Sequence, residues 1–230
     1  IIVHTEANTY AFPGNVHGSP SDWDFHSAQQ FSVTVVPKNL PIYLFNVATD
    51  SDYLVMGWQE ENRLMPTATP DEAEYQFHIK NLVNTETLMK NGDSIYDYSF
   101  RYYFGDKILG EKQAFSDTKE LILKARSLSG KPEKLQVALL LKNGSAYGKT
   151  IFISPETEEY KISLTELEPV KTVTLPRPYP GFLPYYFEHH DTGGFKLENV
   201  ESLQFSIGPD MDLKERRGEH ALGIISVRLE

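Results

Sequence analysis

Residues 175 to 190, LPRPYPGFLPYYFEHH, concentrate groups able to recognise a ligand. Tyr179, Phe182, Tyr185, Tyr186 and Phe187 stand among four prolines, with Arg177, Glu188, His189 and His190 beside them. Flat ring faces bury apolar area against a flat ligand without desolvating charge. Arg, Glu and His then supply directed hydrogen bonds to its polar groups. The prolines exclude a helix or a central strand. The segment is therefore a loop, and its prolines pre-set its shape and lower the ordering cost of binding. The same rings have a structural alternative: Phe182 and Phe187 can point inward and pin a long loop to a core.

Similar choices arise elsewhere. In Arg101-Tyr102-Tyr103-Phe104, strand geometry puts Tyr102 and Phe104 on one face and Arg101 and Tyr103 on the other. The first pair reads as core, and Arg101 beside Tyr103 as an outward pair able to meet a ligand or simply solvated. Trp58 closes an apolar run just before Gln59-Glu60-Glu61 and is either a stacking platform or a rim residue; Trp23 can dock the N-terminal segment. Asp212 to His220, DLKERRGEH, reads as a solvated charged tip that can border a site, with Arg216 and Arg217 as minor candidates for hydroxyls or a carboxylate.

Catalytic constellations are thin. Glu60 and Glu61 are adjacent, as are Glu158 and Glu159, so within a strand each pair diverges to opposite faces and cannot act as acid and base together. His189-His190-Asp191 is the most metal-like cluster, but adjacent histidines in extended chain also diverge, and no further His falls at a metal spacing. No GxSxG, HExxH, P-loop or GxGxxG motif occurs.

These side chains need a scaffold, and the sequence indicates sheets. Short runs rich in β-branched and aromatic residues occupy 31–37, 41–47, 53–58, 74–80, 98–104, 120–126, 134–142, 148–154, 159–164, 202–208 and 222–229, separated by turn residues. Several alternate with period two, as in Tyr75, Phe77 and Ile79 against Glu74, Gln76, His78 and Lys80, which is the mark of an antiparallel sheet with one solvated face. Helical signal is confined to possible single turns in 69–75 and 163–170. Asn143-Gly144-Ser145 is a glycosylation sequon and also a hairpin turn; the turn is the favoured reading. The expected architecture is an all-β antiparallel β-sandwich over residues 31–230. Residues 1–30 form an irregular entry segment or a linker from an upstream domain, and 82–94 a connecting loop.

Composition narrows the partners. The 230 residues carry a net charge of −10, which disfavours nucleic acid or an anionic membrane surface as the main partner. The absence of cysteine excludes disulfides, thiolate metal sites and a Cys nucleophile. No apolar run reaches the roughly 18 residues of a membrane span. The chain opens IIVHT, without methionine and without a visible signal peptide, as a processed chain or an excised piece would.

From residue 119 onward, three strands carry a family resemblance: Leu121 to Ser127, Val200 to Gly208, and the closing Gly223 to Leu229. Their order resembles the galactose-binding-like jelly rolls that serve as carbohydrate-binding modules of bacterial glycan-degrading enzymes. The resemblance implies a non-catalytic polysaccharide-binding module, in a secreted, periplasmic or cell-surface protein and able to be joined covalently to a catalytic domain. Its ligand-binding residues would be Trp58, Tyr103, Arg177, Tyr179, Phe182, Tyr185, Tyr186, His189 and His190. It implies no required cofactor, although such modules commonly hold a structural calcium ion, for which the loop acids Asp50, Asp52 and Asp71 are available without a calcium-loop spacing. Two alternatives stay open. One is a structural sandwich packed on a catalytic domain. The other is a jelly-roll polysaccharide lyase or hydrolase, weakly suggested by Gln76-Phe77-His78 but lacking the companion Arg-x-Glu-x-Arg and Tyr-Phe-Lys motifs.

Overall fold

The computed structural model describes residues 2–4, 9–11, 41–50, 54–56, 61–66, 72–80, 82, 97–104, 115, 117–175, 186–187 and 193–230. The expected strand at 31–37 and nearly all of the connection 82–94 lie outside the described residues. The chain divides into two compact units, Ile1–Leu40 and Pro41–Glu230. In the first, β1 (Ile2–His4) and β2 (Thr9–Ala11) pair antiparallel.

The second unit is an antiparallel β-sandwich. Its strands are β3 (Ile42–Asn46), β4 (Leu54–Met56), β5 (Glu61–Pro66), β6 (Ala73–Ile79), β7 (Tyr98–Tyr103), β8 (Glu120–Ser127), β9 (Glu133–Leu141), β10 (Ala146–Ile153), β11 (Glu158–Ser163), β12 (Glu168–Pro169), β13 (Thr172–Val173), β14 (Tyr186–Phe187), β15 (Val200–Ile207) and β16 (His220–Leu229). Two one-turn helices are described as well, α1 (Val47–Asp50) and α2 (Leu213–Arg216). One sheet has the order β12-β10-β9-β15-β7-β4; the other runs β11-β8-β16-β6-β5, with β3 also on β16. The chain passes repeatedly from sheet to sheet, as at β8 to β9, β10 to β11 and β15 to β16, in the manner of a jelly roll.

Period-two alternation fills the space between the sheets. Leu135, Val137, Leu139 and Leu141 of β9 belong to one core with Leu121, Leu123 and Ala125 of β8 and with Leu222 and Ile224 of β16. A register shift between Ile224 and Ser226 changes the parity of β16, so that Val227 and Leu229 continue the inward series. Much of the aromatic content lies here. Phe77 stacks on Phe100 at 4.3 Å between ring centroids, Phe100 on Phe205 at 4.7 Å, and Phe45 meets Tyr102 at 5.1 Å. Tyr102 and Phe104 are core residues, as the strand alternation requires.

The β9–β10 hairpin explains Asn143-Gly144. Gly144 has φ +87°, and the Ser145 N–H donates to Asn143 Oδ1 at 3.0 Å, so these residues make the turn. The sequence pattern did not reveal β5: Glu61-Asn62-Arg63-Leu64-Met65-Pro66 reads as a loop, yet it pairs along β6 as an edge strand, where charge and a terminal proline are tolerated. On the outer face of that sheet, Arg126 grips Glu74 through two hydrogen bonds of 2.7 and 2.9 Å, and Gln76 donates to the same carboxylate at 2.8 Å. Gln76, half of the lyase-like pair, is thus engaged in a surface-covering ion network.

Candidate functional site: a cleft on the outer face of one sheet

On the β10-β9-β15-β7 sheet, the positions between core residues point away from the partner sheet. Register sets them in three rows: Thr150, Gln136, Ser206 and Ser99; Gly148, Ala138, Gln204 and Arg101; Ala146, Leu140, Ser202 and Tyr103. Several are polar yet buried, which is costly unless they are paired. Ser99 and Ser206 join through their hydroxyls at 2.8 Å, and the Gln204 amide donates to Ser206 at 3.2 Å.

A strap crosses this face. β12 runs beside the edge of β10, and the Val170 N–H donates to the Ala146 carbonyl at 2.9 Å. Val170 packs on Ala138, Leu140 and Ala146. Further along, the Val173 carbonyl accepts from Arg101 Nη2 at 3.0 Å. The Arg101 guanidinium also donates from Nε to Gln204 Oε1 at 2.9 Å and from Nη1 to the Tyr103 hydroxyl at 3.2 Å. The expectation of an outward Arg101 is therefore corrected: it is buried and ties the strap to the sheet. Tyr103 is exposed, with the Arg101 cation 5.9 Å from its ring centre.

Between the strap and the loop that follows β15 lies a cleft of about 820 Å³. Gln136, Gly148 and Thr150 line its floor. A side chain at Gly148 would come within 2.6 Å of the Val137 carbonyl oxygen and 3.0 Å of Ala138, so the close strand pairing keeps that part of the floor as bare backbone. Gln136 is buried, and its side-chain oxygen has no hydrogen-bond partner among the described residues. Its amide carries both donor and acceptor, and a half-turn exchanges them. One wall consists of Glu166, Glu168, Pro169, Val170 and Lys171; the other of Asp97, Pro209 and Asp210.

The second wall is held by local sequence. Gly208 has φ +129°, a conformation natural only to glycine, and a Cβ there would overlap the Asp97 carboxylate. Asp97 in turn accepts from Arg216 Nη1 at 2.8 Å. Arg216 sits at the end of α2, whose Asp212 and Glu215 form a reciprocal capping box. The Asp212 backbone N–H, joined by Lys134, holds the Glu215 carboxyl below its ordinary value. Lys134 also donates to the Asp210 carbonyl at 2.7 Å, and Thr150 to the Asp210 carboxylate at 2.5 Å. His220 is buried between the Glu133 carboxylate, 2.8 Å from Nδ1, and the Glu215 carbonyl, 3.1 Å from Nε2. The DLKERRGEH segment is thus corrected from a solvated tip to a capped turn with Arg216 and His220 buried, although Arg217 is exposed.

Of the residues expected from sequence to contact a ligand, Trp58, Arg177, Tyr179, Phe182, Tyr185, His189 and His190 lie outside the described residues. Tyr186 is described through its backbone alone, in β14, which pairs with β13 directly beyond the strap. Tyr103 is not among the described residues lining the cleft. Sequence reasoning missed Gln136, which stands in an apolar strand, and Phe152. Phe152 is 64% exposed and shares the outer face of β10 with Gly148 and Thr150. A signal was present: in Thr150-Ile151-Phe152-Ile153-Ser154 the two isoleucines take the core parity and leave Phe152 on the polar one.

Among the described residues, no group of three or more His, Asp or Glu side chains is placed to hold a metal ion. Asp50 accepts from the Asn46 N–H at 2.8 Å, while Asp52 and Asp71 lie outside the described residues. No described helix is long and apolar enough to cross a membrane.

No protein-family model matches the chain, and no curated protein matches it. Among solved structures it is similar to a family 11 carbohydrate-binding module from Clostridium thermocellum in complex with a beta-1,3-1,4-mixed-linked tetrasaccharide, at 11% identity over 76% of this chain and 86% of that one, with a TM-score of 0.47. It is also similar to an exo-beta-agarase at 9% identity, over 82% of this chain and 24% of that one, with a TM-score of 0.49. A family 29 carbohydrate-binding module is similar at 11% identity over 83% of this chain and 90% of that one, with a TM-score of 0.35. These similarities concern the β-sandwich fold alone.

Proposed function

We propose that the chain is a non-catalytic carbohydrate-binding module that takes a segment of polysaccharide into the cleft between the strap and the loop after β15. The observation that carries this reading is the cleft floor: bare backbone at Gly148 beside a buried amide, Gln136, with an unpaired oxygen. An unpaired buried acceptor costs about 1–3 kcal/mol, and a ligand donor relieves that cost. A sugar hydroxyl both donates and accepts, so it suits either orientation of the amide. Phe152 supplies an exposed ring on the same face of β10 for an apolar sugar face, four residues from Gly148, or ~13 Å at ~3.3 Å per residue.

The aromatic loop of residues 175 to 190 belongs to the same proposal. β14 lies in that loop and pairs with β13, which follows directly on the Val170 and Lys171 that wall the cleft. In this role the module would raise the local concentration of a linked catalytic domain on its polymer, in a secreted or cell-surface protein.

Affinity electrophoresis through gels containing neutral and acidic polysaccharides tests the reading, with Gln136→Ala, Tyr185→Ala and Tyr186→Ala alongside the parent chain. The expected result is retardation by at least one polymer, weakened in Gln136→Ala while its thermal unfolding stays cooperative. Retardation lost only in the tyrosine variants would move the site from the cleft to the loop. Free migration in every gel would leave the sandwich a structural domain.

A further inference from the structure

The cleft's charge is arranged unevenly, and the difference bears on which glycans it accepts. Its described walls carry four carboxylates, Asp97, Glu166, Glu168 and Asp210, against two ammonium groups, Lys149 and Lys171. Among the described residues, the cations at or beside the cleft are already engaged. Lys149 Nζ donates to Glu166 at 2.6 Å. Lys134 is held by Asp210 and Glu215, Arg216 by Asp97, and Lys171 also has a partner. Glu168, by contrast, is exposed on the rim with no ion-pair partner among the described residues. The floor itself is neutral: Gln136 is about nine-tenths buried, carries no charge, and its side-chain oxygen is unpaired.

Resting on the carbohydrate-binding reading, we propose that the Lys149–Glu166 pair acts as a charge filter, so that the cleft accepts an uncharged glycan chain and refuses a carboxylated or sulfated one. An anionic sugar entering this cleft meets Glu168 and Asp210 and must compete with Glu166 for the lysine. A neutral sugar needs no counter-ion and finds hydroxyl partners at Gln136 and Thr150. The pair is partly exposed, with side-chain exposures of 40% and 56%, so its grip on the lysine is modest and a single substitution can release it. Glu166 is a specificity-determining residue in this account.

The test compares one glucan backbone in two forms, hydroxyethyl cellulose and carboxymethyl cellulose, by affinity electrophoresis at low salt. The full chain is run beside Glu166→Gln and Glu168→Gln. Both variants remove one negative charge, but only Glu166→Gln frees Lys149. The readout is the ratio of binding to the carboxymethyl and hydroxyethyl polymers. For the parent chain that ratio is expected below one. In Glu166→Gln it should rise roughly threefold, the scale of an exposed ion pair, and fall back at high salt. Glu168→Gln should move it by less than half as much. Preference of the parent chain for the carboxymethyl polymer, or equal rises in both variants, would overturn the filter while leaving glycan binding intact. Absence of binding to both forms, and to every neutral polymer of the wider panel, would instead overturn the parent reading and the filter with it.

Discussion

Replacing Gly208 with alanine is expected to damage both stability and the cleft. Gly208 follows β15 with φ +129°, where an L-residue is strained by about 1–3 kcal/mol. The added Cβ would overlap the Asp97 carboxylate, approach its Cγ to 3.0 Å and reach 3.1 Å from Arg216 Nη1. Asp97 must then move away from Arg216. Both side chains are nearly buried, at 12% and 11% exposure, and parting such a pair costs about 3–5 kcal/mol at full burial. Residual exposure and the other partners of both groups reduce this, so the combined loss should be about 3 kcal/mol. For a domain of this size that lowers Tm by roughly 10 °C. Urea unfolding of Gly208→Ala, Asp97→Ala and the double variant separates the two causes. If the overlap matters, Gly208→Ala costs less in the Asp97→Ala background than in the parent, and the remainder is backbone strain. Because Asp97 lines the cleft, polysaccharide retention should fall together with stability. A Gly208→Ala chain within ~0.5 kcal/mol of the parent would refute the reasoning at both steps.

Two further outcomes follow from the same physics. Burial alone would raise the Glu74 carboxyl, but hydrogen bonds from Arg126 and Gln76 and the Arg126 charge outweigh it and hold the group below its ordinary value. Its contribution to stability is therefore present above the unfolded carboxyl range near ~4.3 and is lost as pH falls through the lower folded value. Glu74→Gln should flatten the acid limb of a stability-versus-pH curve, and an unchanged limb would show that the pair does not couple to folding. Phe152→Ala should leave the urea midpoint almost unaltered, because the ring is largely exposed, while polysaccharide retention falls several-fold, on the scale of ~1 kcal/mol for a stacked ring; a shifted midpoint with unchanged retention would mark the ring as structural.

The fold was legible because period-two alternation is a local property. Ile42–Asn46, Ala73–Ile79, Tyr98–Tyr103, Glu120–Ser127, Glu133–Leu141, Ala146–Ile153, Glu158–Ser163, Val200–Ile207 and His220–Leu229 lie where the pattern of apolar and polar residues places them, whereas the two-residue strands Glu168–Pro169, Thr172–Val173 and Tyr186–Phe187 were not foreseen. Its failures are equally physical. β5 hid behind charge and proline because an edge strand tolerates both. The capped turn at Leu213–Arg216 is too short for any helical period to register. The site was less legible. A charged arginine in an alternating strand looks solvated, and nothing near Arg101 announces that the Val173 carbonyl, 72 residues away in sequence, will cover it.

By itself, the sequence determined which residues alternate, where turns fall, and hence that the chain builds antiparallel sheets; it also determined a net charge of −10. Tertiary structure alone decided which outward positions are bare and which are covered. Gln136, Gly148 and Thr150 became a cleft floor because the strap and the Gly208–Asp210 turn stop on either side of them. Those neighbours come from distant parts of the chain and are joined by register and by buried pairs such as Asp97–Arg216. Local patterning carries no information about such pairings, because which strands become neighbours depends on how the whole core closes.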